Sequence, residues 1–215
     1  MAKRRTRKKK DLFRFTITKE LVIFLSCLIV LIAAAIVLSI PRDNENIYND
    51  YSAAATSLTT DDNTVSTITS KEHVFKTISY KDLVNKIDKE DGLFYVYYSS
   101  TTVSDAVSIL ATVNTFAETY DVNTVYLLDN SFYTDLDLTN GDDNTTLDEY
   151  EAALGLGAST VNTVDLSIVP TLFVYKNHEL IFNSNSKDFV TDDNTAKYSW
   201  NVVLNQAFYL NESDK

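Results

Sequence analysis

Glycine, proline, histidine and cysteine are all scarce in this chain of 215 residues, which holds four, two, two and one of them respectively. Four glycines are too few for a glycine-rich loop that cradles phosphate groups. The two histidines, His73 and His178, have no spacing that suits a zinc site, and neither pairs with a serine and an acid as a catalytic triad requires. These shortages argue against nucleotide-binding, zinc-dependent and serine-hydrolase activities.

The single cysteine, Cys27, lies inside a long apolar run, so residues 41–215 contain no thiol. That part of the chain can therefore form no internal disulfide bond and carry out no dithiol chemistry. Lipidation of Cys27 is the alternative to a plain membrane segment. It suits the sequence less well, because six residues of the apolar run precede Cys27 and thirteen follow it.

Positive charge is concentrated near the N-terminus, where nine of the 19 Lys and Arg residues precede residue 20. Residues 41–215 hold the other 10, together with 28 of the 30 Asp and Glu residues, a net charge of −18. An acidic body of this kind repels nucleic acid, so we expect no nucleic-acid partner.

The run from Leu21 to Ile40 contains twenty residues and no charged side chain. Twenty apolar residues in a helix cross a hydrocarbon core of about 30 Å. Because the basic flank 1–20 stays in the cytoplasm, we predict a cytoplasmic tail at 1–20, an uncleaved transmembrane signal-anchor helix at 21–40 and an extracytoplasmic body. The predicted location is the cell membrane, with a single pass.

The next segment, 41–70, is rich in small polar residues, with ten Ser or Thr between positions 51 and 70. It shows no sustained hydrophobic period, which predicts a flexible spacer. The alternative is that part of it adds an edge strand to the domain. The folded extracytoplasmic domain is then expected at 71–215.

Strand-like and helix-like patterns alternate in that domain in the order β-α-β-α-β-α-β-β-α. Ser79, with Asp82 three residues on, predicts the first helix start, and Gly92 suits its stop. A Lys-Asn-His turn at 176–178 is expected to join the last two strands. This order predicts an α/β fold, with a mixed sheet flanked by helices on both faces and one transmembrane helix before it.

Two segments of the body resemble thioredoxin-like proteins. The stretch LFYVYYSSTTVSDAVSIL, 93–110, resembles the strand-to-helix segment that carries Cys-x-x-Cys in that family. The stretch IVPTLFVYKNHEL, 168–180, resembles the later segment with its cis-proline and paired strands. The nearest group is the membrane-anchored, bacteriocin transport accessory protein-like proteins of Gram-positive bacteria. The resemblance covers roughly 75–210 and implies a thioredoxin-like fold.

The resemblance places the two family cysteines at Thr102 and Asp105 of this chain. A threonine hydroxyl stays protonated at physiological pH and an aspartate cannot resolve a mixed disulfide, so we expect no thiol–disulfide activity. Thr102 and Asp105 also match a capping box, which predicts a helix start satisfied by its own side chains. The alternative is an anion held at that helix end.

Pro170 is implied by the resemblance to be cis and to lie beside this polar tip. The family binds extended polypeptides in a groove there, which on this chain would be formed by Ser100, Thr101, Val169, Pro170 and Thr171. The purely structural alternative is that Pro170 starts a strand and fixes a turn.

A calcium-binding loop is one further candidate, with ligands at Asn140, Asp142, Asn144, Asp148 and Glu151. It departs from the motif in having Asn at the first position and Thr145 in place of the turn glycine, and helix capping explains the same carboxylates. We expect no cofactor and no other metal.

The expected function is therefore that of a redox-inactive binding or accessory factor for extracytoplasmic polypeptides during export or folding, with a protein or peptide partner. Two alternatives stay open. One is an enzyme, either a thiol oxidoreductase that uses cysteines of a partner or a hydrolase of another kind. The other is a purely structural surface domain.

Overall fold

The computed structural model describes residues 28, 43–134, 141–155, 164–186, 188–191 and 196–213, with the backbone alone at 134, 141–146 and 213. The chain divides into two units, Met1–Pro41 and Arg42–Lys215, and the second unit contains six helices and five strands within the described ranges. Its helices are α1 Asp43–Leu58, α2 Tyr80–Lys89, α3 Ser104–Thr119, α4 Ser131–Thr134, α5 Gly141–Leu154 and α6 Trp200–Ser213. Its strands are β1 Phe75–Thr77, β2 Leu93–Ser99, β3 Val125–Asp129, β4 Thr171–Lys176 and β5 Glu179–Asn183.

The five strands form one mixed sheet in the order β1-β3-β2-β4-β5. The first three run parallel, while β4 runs antiparallel to β2 and β5 antiparallel to β4. From β1 onward, the element order matches the predicted one, with the short helix α4 added. The predicted mixed α/β sheet flanked by helices is confirmed.

Strand β2 is buried on both faces, because its side chains alternate between two cores. Tyr95 and Tyr97 enter the core formed with α1, α3 and α6, where the Tyr95 ring stacks on Phe208 with centroids 4.7 Å apart. Phe94 and Tyr98 enter the opposite core, formed with α2 and the end of α5. The sheet therefore lies between two helical layers, and its central strand contacts both.

The predicted flexible spacer is wrong for Asp43–Leu58, which forms helix α1 instead. Ile47, Tyr51, Ala54 and Ala55 are buried in the same core as Tyr95 and Tyr97, since their spacing places them on one helical face. In the segment after α1, the side chains of Val65 and Ile68 are also buried. The domain therefore begins at α1, and only Pro41 and Arg42 separate that helix from the apolar run in sequence.

Two local predictions are confirmed. Ser79 caps α2, since its Oγ accepts from the Asp82 N–H at 3.1 Å and donates to Oδ2 of Asp82 at 2.7 Å. Asn177 and His178 form the turn between β4 and β5 with φ of 49° and 73°, the left-handed conformations that two-residue hairpin turns use.

Among the described residues, no helix has both the length and the apolar character needed to cross a membrane. The predicted span at 21–40, apart from Leu28, and the predicted tail at 1–20 lie outside those residues.

Candidate functional site at the polar tip

The polar tip, residues 99–105, connects the end of β2 to the start of α3. Ser99 and Ser100 are buried, and Thr102 is exposed. The Ser100 Oγ accepts from the Thr102 N–H at 3.2 Å and lies 2.8 Å from Thr102 Oγ1. The Ser100 side chain therefore fixes the backbone of the tip, while Thr102 and Asp105 present their side chains to solvent.

The predicted capping box at Thr102 and Asp105 is wrong. The N-cap position of α3 is occupied by Val103, whose apolar side chain makes no hydrogen bond to the helix. The Thr102 hydroxyl is paired with Ser100 instead, two residues back. Local pairing of this kind competes with capping, because a short hydroxyl side chain reaches nearby polar groups first.

The hydroxyl groups of two buried tyrosines donate hydrogen bonds to the tip and to the first turn of α3. The Tyr51 hydroxyl, on α1, donates to Ser99 Oγ at 2.7 Å, and the Tyr97 hydroxyl donates to the Ala106 carbonyl at 2.8 Å. Burial raises the pKa of both phenols, so both stay protonated donors at physiological pH. Tyr51 is not among the predicted site residues, because it lies in the segment predicted to be a spacer.

Pro170 lies beside the tip, as the resemblance implied. The Val169–Pro170 peptide bond is cis, and Thr171 pairs with Tyr98 on the neighbouring strand. Continuing that antiparallel register by one residue places Pro170 next to Ser99. The structure therefore brings the tip and the proline segment together at the same end of the sheet.

Asn185 holds the proline segment in place, and sequence reasoning missed it. Its Nδ2 donates to the Pro170 carbonyl at 3.1 Å and to Thr171 Oγ1 at 2.6 Å. The neighbouring Ser184 accepts from the Leu172 N–H at 2.9 Å. These contacts join the chain after β5 to the start of β4, so Asn185 is a positioning residue for the predicted groove.

The five residues predicted to line the groove differ in accessibility. Ser100, Pro170 and Thr171 are buried, and Thr171 Oγ1 donates to the Ile168 carbonyl at 2.7 Å. Thr101 and Val169 are half-buried. An incoming chain would therefore meet the backbone and side chains of Thr101 and Val169, together with the exposed Thr102.

A small cavity of about 40 Å³ adjoins the proline segment, with Asn185 in its wall. Aromatic rings form much of its lining, and Ser184 and Asn185 supply the polar part. The lining residues are Ser184, Asn185, Phe189, Val190, Ala196, Tyr198, Trp200 and Val203.

Two carboxylates lie at the end of the sheet that carries the tip. Asp129 ends β3 beside Ser99, and Asp165 lies on the segment that leads to Pro170. Each caps a local turn, since Asp129 accepts from the Ser131 N–H at 2.8 Å and Asp165 from the Ser167 N–H at 2.9 Å. Burial raises the pKa of Tyr98, and the charges of Asp129 and Asp165 raise it further.

The calcium hypothesis does not fit the backbone at its ligands. The segment from Gly141 to Leu154 is helical, whereas the motif needs a loop that wraps around the ion. Asn140 lies outside the described residues, as do the side chains of Asp142 and Asn144. Glu151 accepts from the Leu166 N–H at 3.0 Å, and burial raises its pKa. Within the described ranges, no group of three or more His, Cys, Asp or Glu side chains could hold a metal ion.

The two histidines are separate from the tip and serve structural contacts. His73 Nε2 donates to the Asn44 carbonyl at 3.0 Å and Nδ1 accepts from the Phe75 N–H at 3.2 Å, which links α1 to β1. His178 faces the Ile87 carbonyl at 2.8 Å and Asp91 at 3.0 Å, in the β4–β5 turn.

A wider cleft of about 260 Å³ lies at the amino ends of β2 and β3, away from the tip. Its lining includes Glu90, Asp121 and Asn123 around the rings of Phe94 and Tyr126. Lys86 pairs with Glu90 and lies over the Phe94 and Tyr126 rings. This cleft has no part in the peptide-groove hypothesis.

No protein-family model matches the chain, and no curated protein matches it at a significant level. The statement of fold rests on the structure, which has a mixed α/β sheet flanked by helices.

Proposed function

We propose that this chain is a membrane-anchored, redox-inactive thioredoxin-like protein whose extracytoplasmic domain binds extended polypeptides as an accessory factor in their export or folding. The observation that carries the proposal is the meeting of the tip with the Val169–Pro170 segment at one end of the sheet. In the family that the sequence resembles, this is where polypeptide substrates bind.

The accessible groups at this meeting point suit binding better than chemistry. Thr102 and Asp105 occupy the two positions where the resemblance places cysteines, and both are exposed. Neither side chain can attack a disulfide bond, because the nucleophile in that reaction is a thiolate. A polypeptide at this site would be held by non-covalent contacts alone.

An extended partner could bind by adding strand-like hydrogen bonds to the backbone near Val169. The surroundings favour a preformed site, since Asn185 fixes the Pro170 carbonyl and Ser100 fixes the tip. A site that needs little ordering on binding loses less conformational entropy, which supports affinity from a short contact surface.

Site-specific photo-crosslinking in cells tests this proposal. A photoreactive residue would replace Thr102, and the control would carry the same residue at Gln206, which is exposed on α6. We expect a discrete adduct with another polypeptide from position 102 and none from position 206. Identical adducts from both positions, or none from either, would leave a structural surface domain as the better interpretation.

The membrane anchor rests on the uncharged run Leu21–Ile40 and its basic flank. Alkaline extraction of membranes tests it, because a spanning helix stays with the lipid pellet while a peripheral protein is released. Recovery of the chain in the supernatant would remove the anchor from the proposal and leave the binding site to be tested alone.

A further inference from the structure

The cavity next to the proline segment shares a wall with the proposed groove. Asn185 lines the cavity and also donates to the Pro170 carbonyl. Ser184 also lines the cavity, and its hydroxyl accepts a hydrogen bond from the Leu172 N–H at the start of β4. A polypeptide that lies along Val169 and Pro170 would therefore lie close to the wall of this cavity.

The size and lining of the cavity suit a small apolar side chain. Its volume of about 40 Å³ is larger than the roughly 10–15 Å³ that one water molecule needs. Phe189, Tyr198 and Trp200 supply aromatic surface. The side-chain amide Nδ2 of Asn185 already donates to Pro170 and Thr171, and the Ser184 hydroxyl already accepts from Leu172. The wall therefore offers aromatic and aliphatic contact, beside an amide Nδ2 and a hydroxyl that already have hydrogen-bond partners.

The charged residues around the groove indicate whether its partner carries positive or negative charge. Two exposed carboxylates lie at this end of the sheet, since Asp129 pairs with Ser99 in the strand register and Asp165 lies five residues before Pro170. Asp105, in the first turn of α3, is a further exposed carboxylate on the tip itself. With a net charge of −18 over residues 41–215, the domain as a whole also attracts cations. Complementary charge raises association rates and selects partners.

We infer that the groove takes an extended cationic polypeptide, with a small apolar side chain of that polypeptide in the cavity between Asn185 and Trp200. This inference rests on the function proposed above and specifies the class of its partner. The carboxylates would select the charge of the partner, and the cavity would fix the position of the bound chain.

Fluorescence anisotropy with synthetic peptides tests the inference on the full chain in detergent micelles. The probe is a labelled peptide of about nine residues with alternating lysine and valine, compared with one in which glutamate replaces lysine. We expect the lysine peptide to bind about tenfold or more tightly than the glutamate peptide at about 0.05 M salt, and less tightly as salt is raised.

Two variants locate the binding. Asp129→Asn with Asp165→Asn removes two charges while keeping an oxygen that can accept from Ser131 and Ser167. We expect it to weaken binding of the lysine peptide about threefold to tenfold. Ala196→Leu fills the cavity and should weaken binding about fivefold, by excluding the valine side chain. Ala53→Leu, at an exposed position on α1, is its matched control.

The possible outcomes separate the inference from the proposed function. Equal binding of both peptides would keep polypeptide binding and overturn the cationic preference. If both variants bound the lysine peptide as tightly as the wild type, the peptide would be binding elsewhere on the acidic surface. The inference would then be overturned. No binding of either peptide would overturn the inference, whereas the proposed function would still stand or fall on the adduct from position 102. A circular dichroism spectrum that matches the wild type confirms that each variant is folded.

Discussion

Replacement of Tyr51 tests whether α1 is a structural part of the domain or a spacer. The side chain is 3% exposed, lies in the core with Tyr97, and donates a hydrogen bond to Ser99. Tyr51→Ala removes both the ring and the hydroxyl, whereas Tyr51→Phe removes the hydroxyl alone. Alanine also favours helix, so a loss of stability in Tyr51→Ala cannot come from a weaker helix.

The two substitutions should differ severalfold in effect. Removal of a buried aromatic side chain leaves a cavity and costs about 3–5 kcal/mol of the free energy of unfolding. Loss of the hydroxyl alone costs about 1 kcal/mol, because the buried Ser99 Oγ loses one partner. Asn49→Ala, on the exposed side of the same helix, is the control and should change stability by less than about 0.5 kcal/mol.

Urea titration of the full chain, followed by far-ultraviolet circular dichroism, measures these differences. We expect the order Tyr51→Ala, then Tyr51→Phe, then Asn49→Ala, from the largest loss to the smallest. If Tyr51→Ala unfolded at the same urea concentration as Asn49→Ala, α1 would not be packed on the sheet in solution. The spacer prediction would then be correct.

Three further side chains, Ser79, His178 and His73, give predictions that do not involve Tyr51. Ser79→Ala removes the oxygen that accepts from the Asp82 N–H, and it should lower the free energy of unfolding by about 1 kcal/mol in the same titration. An unchanged value would mean that the cap is not formed. For His178, the Ile87 carbonyl and then Asp91 raise the pKa above 6.5, so the stability that this histidine contributes is complete below pH 6.5 and is lost as pH rises through the folded pKa. For His73, burial lowers the pKa below 6.5, so its contribution is present above pH 6.5 and is lost as pH falls through the folded pKa. Proton NMR titration of the two imidazoles should place their midpoints on opposite sides of pH 6.5, and midpoints on the same side would contradict these assignments.

The part of the fold that could be predicted is the part with a strong hydrophobic period. Strand β2 combines aromatic and aliphatic residues on both faces, as a central buried strand does, and α3 repeats apolar residues at three and four. Short connections and the order of elements then restrict the topology to a mixed sheet with helices on both faces. These signals are local, so they are present in the sequence.

Helix α1 could have been found from a weaker signal. Ile47, Tyr51, Ala54 and Ala55 stand at helical spacing, but two of them are alanines, and most of the other residues of the helix are polar. The Ser and Thr residues that follow α1 made the whole segment resemble a linker. Tertiary packing decided the outcome, as it does for many helices with a narrow apolar face.

The contacts that define the candidate site could not be predicted from local pattern. Asn185 reaches Pro170 across fifteen residues, through the pairing of β4 with β5, and that pairing shifts register between Val174 and Tyr175. The capping-box prediction was wrong for a different reason, because the Thr102 hydroxyl pairs with the nearby Ser100 hydroxyl instead of the helix end. A sequence motif shows which groups are available, whereas the fold decides which of them meet.

The position of Tyr51 leads to a last prediction about the boundary of the domain. The resemblance covers roughly residues 75–210, yet a hydroxyl from α1 supports Ser99 at the tip from outside that range. A shortened chain that begins at residue 71 would lose the four buried residues of α1 and expose the core around Phe75 and Tyr97. The free energy of unfolding should fall by about 5 kcal/mol or more, which is comparable with the whole stability of a small domain. We therefore expect a chain from residue 43 to unfold cooperatively in urea and a chain from residue 71 to show no cooperative transition. Equal transitions in the two chains would mean that α1 is dispensable, and the tip would then have to keep its geometry without Tyr51.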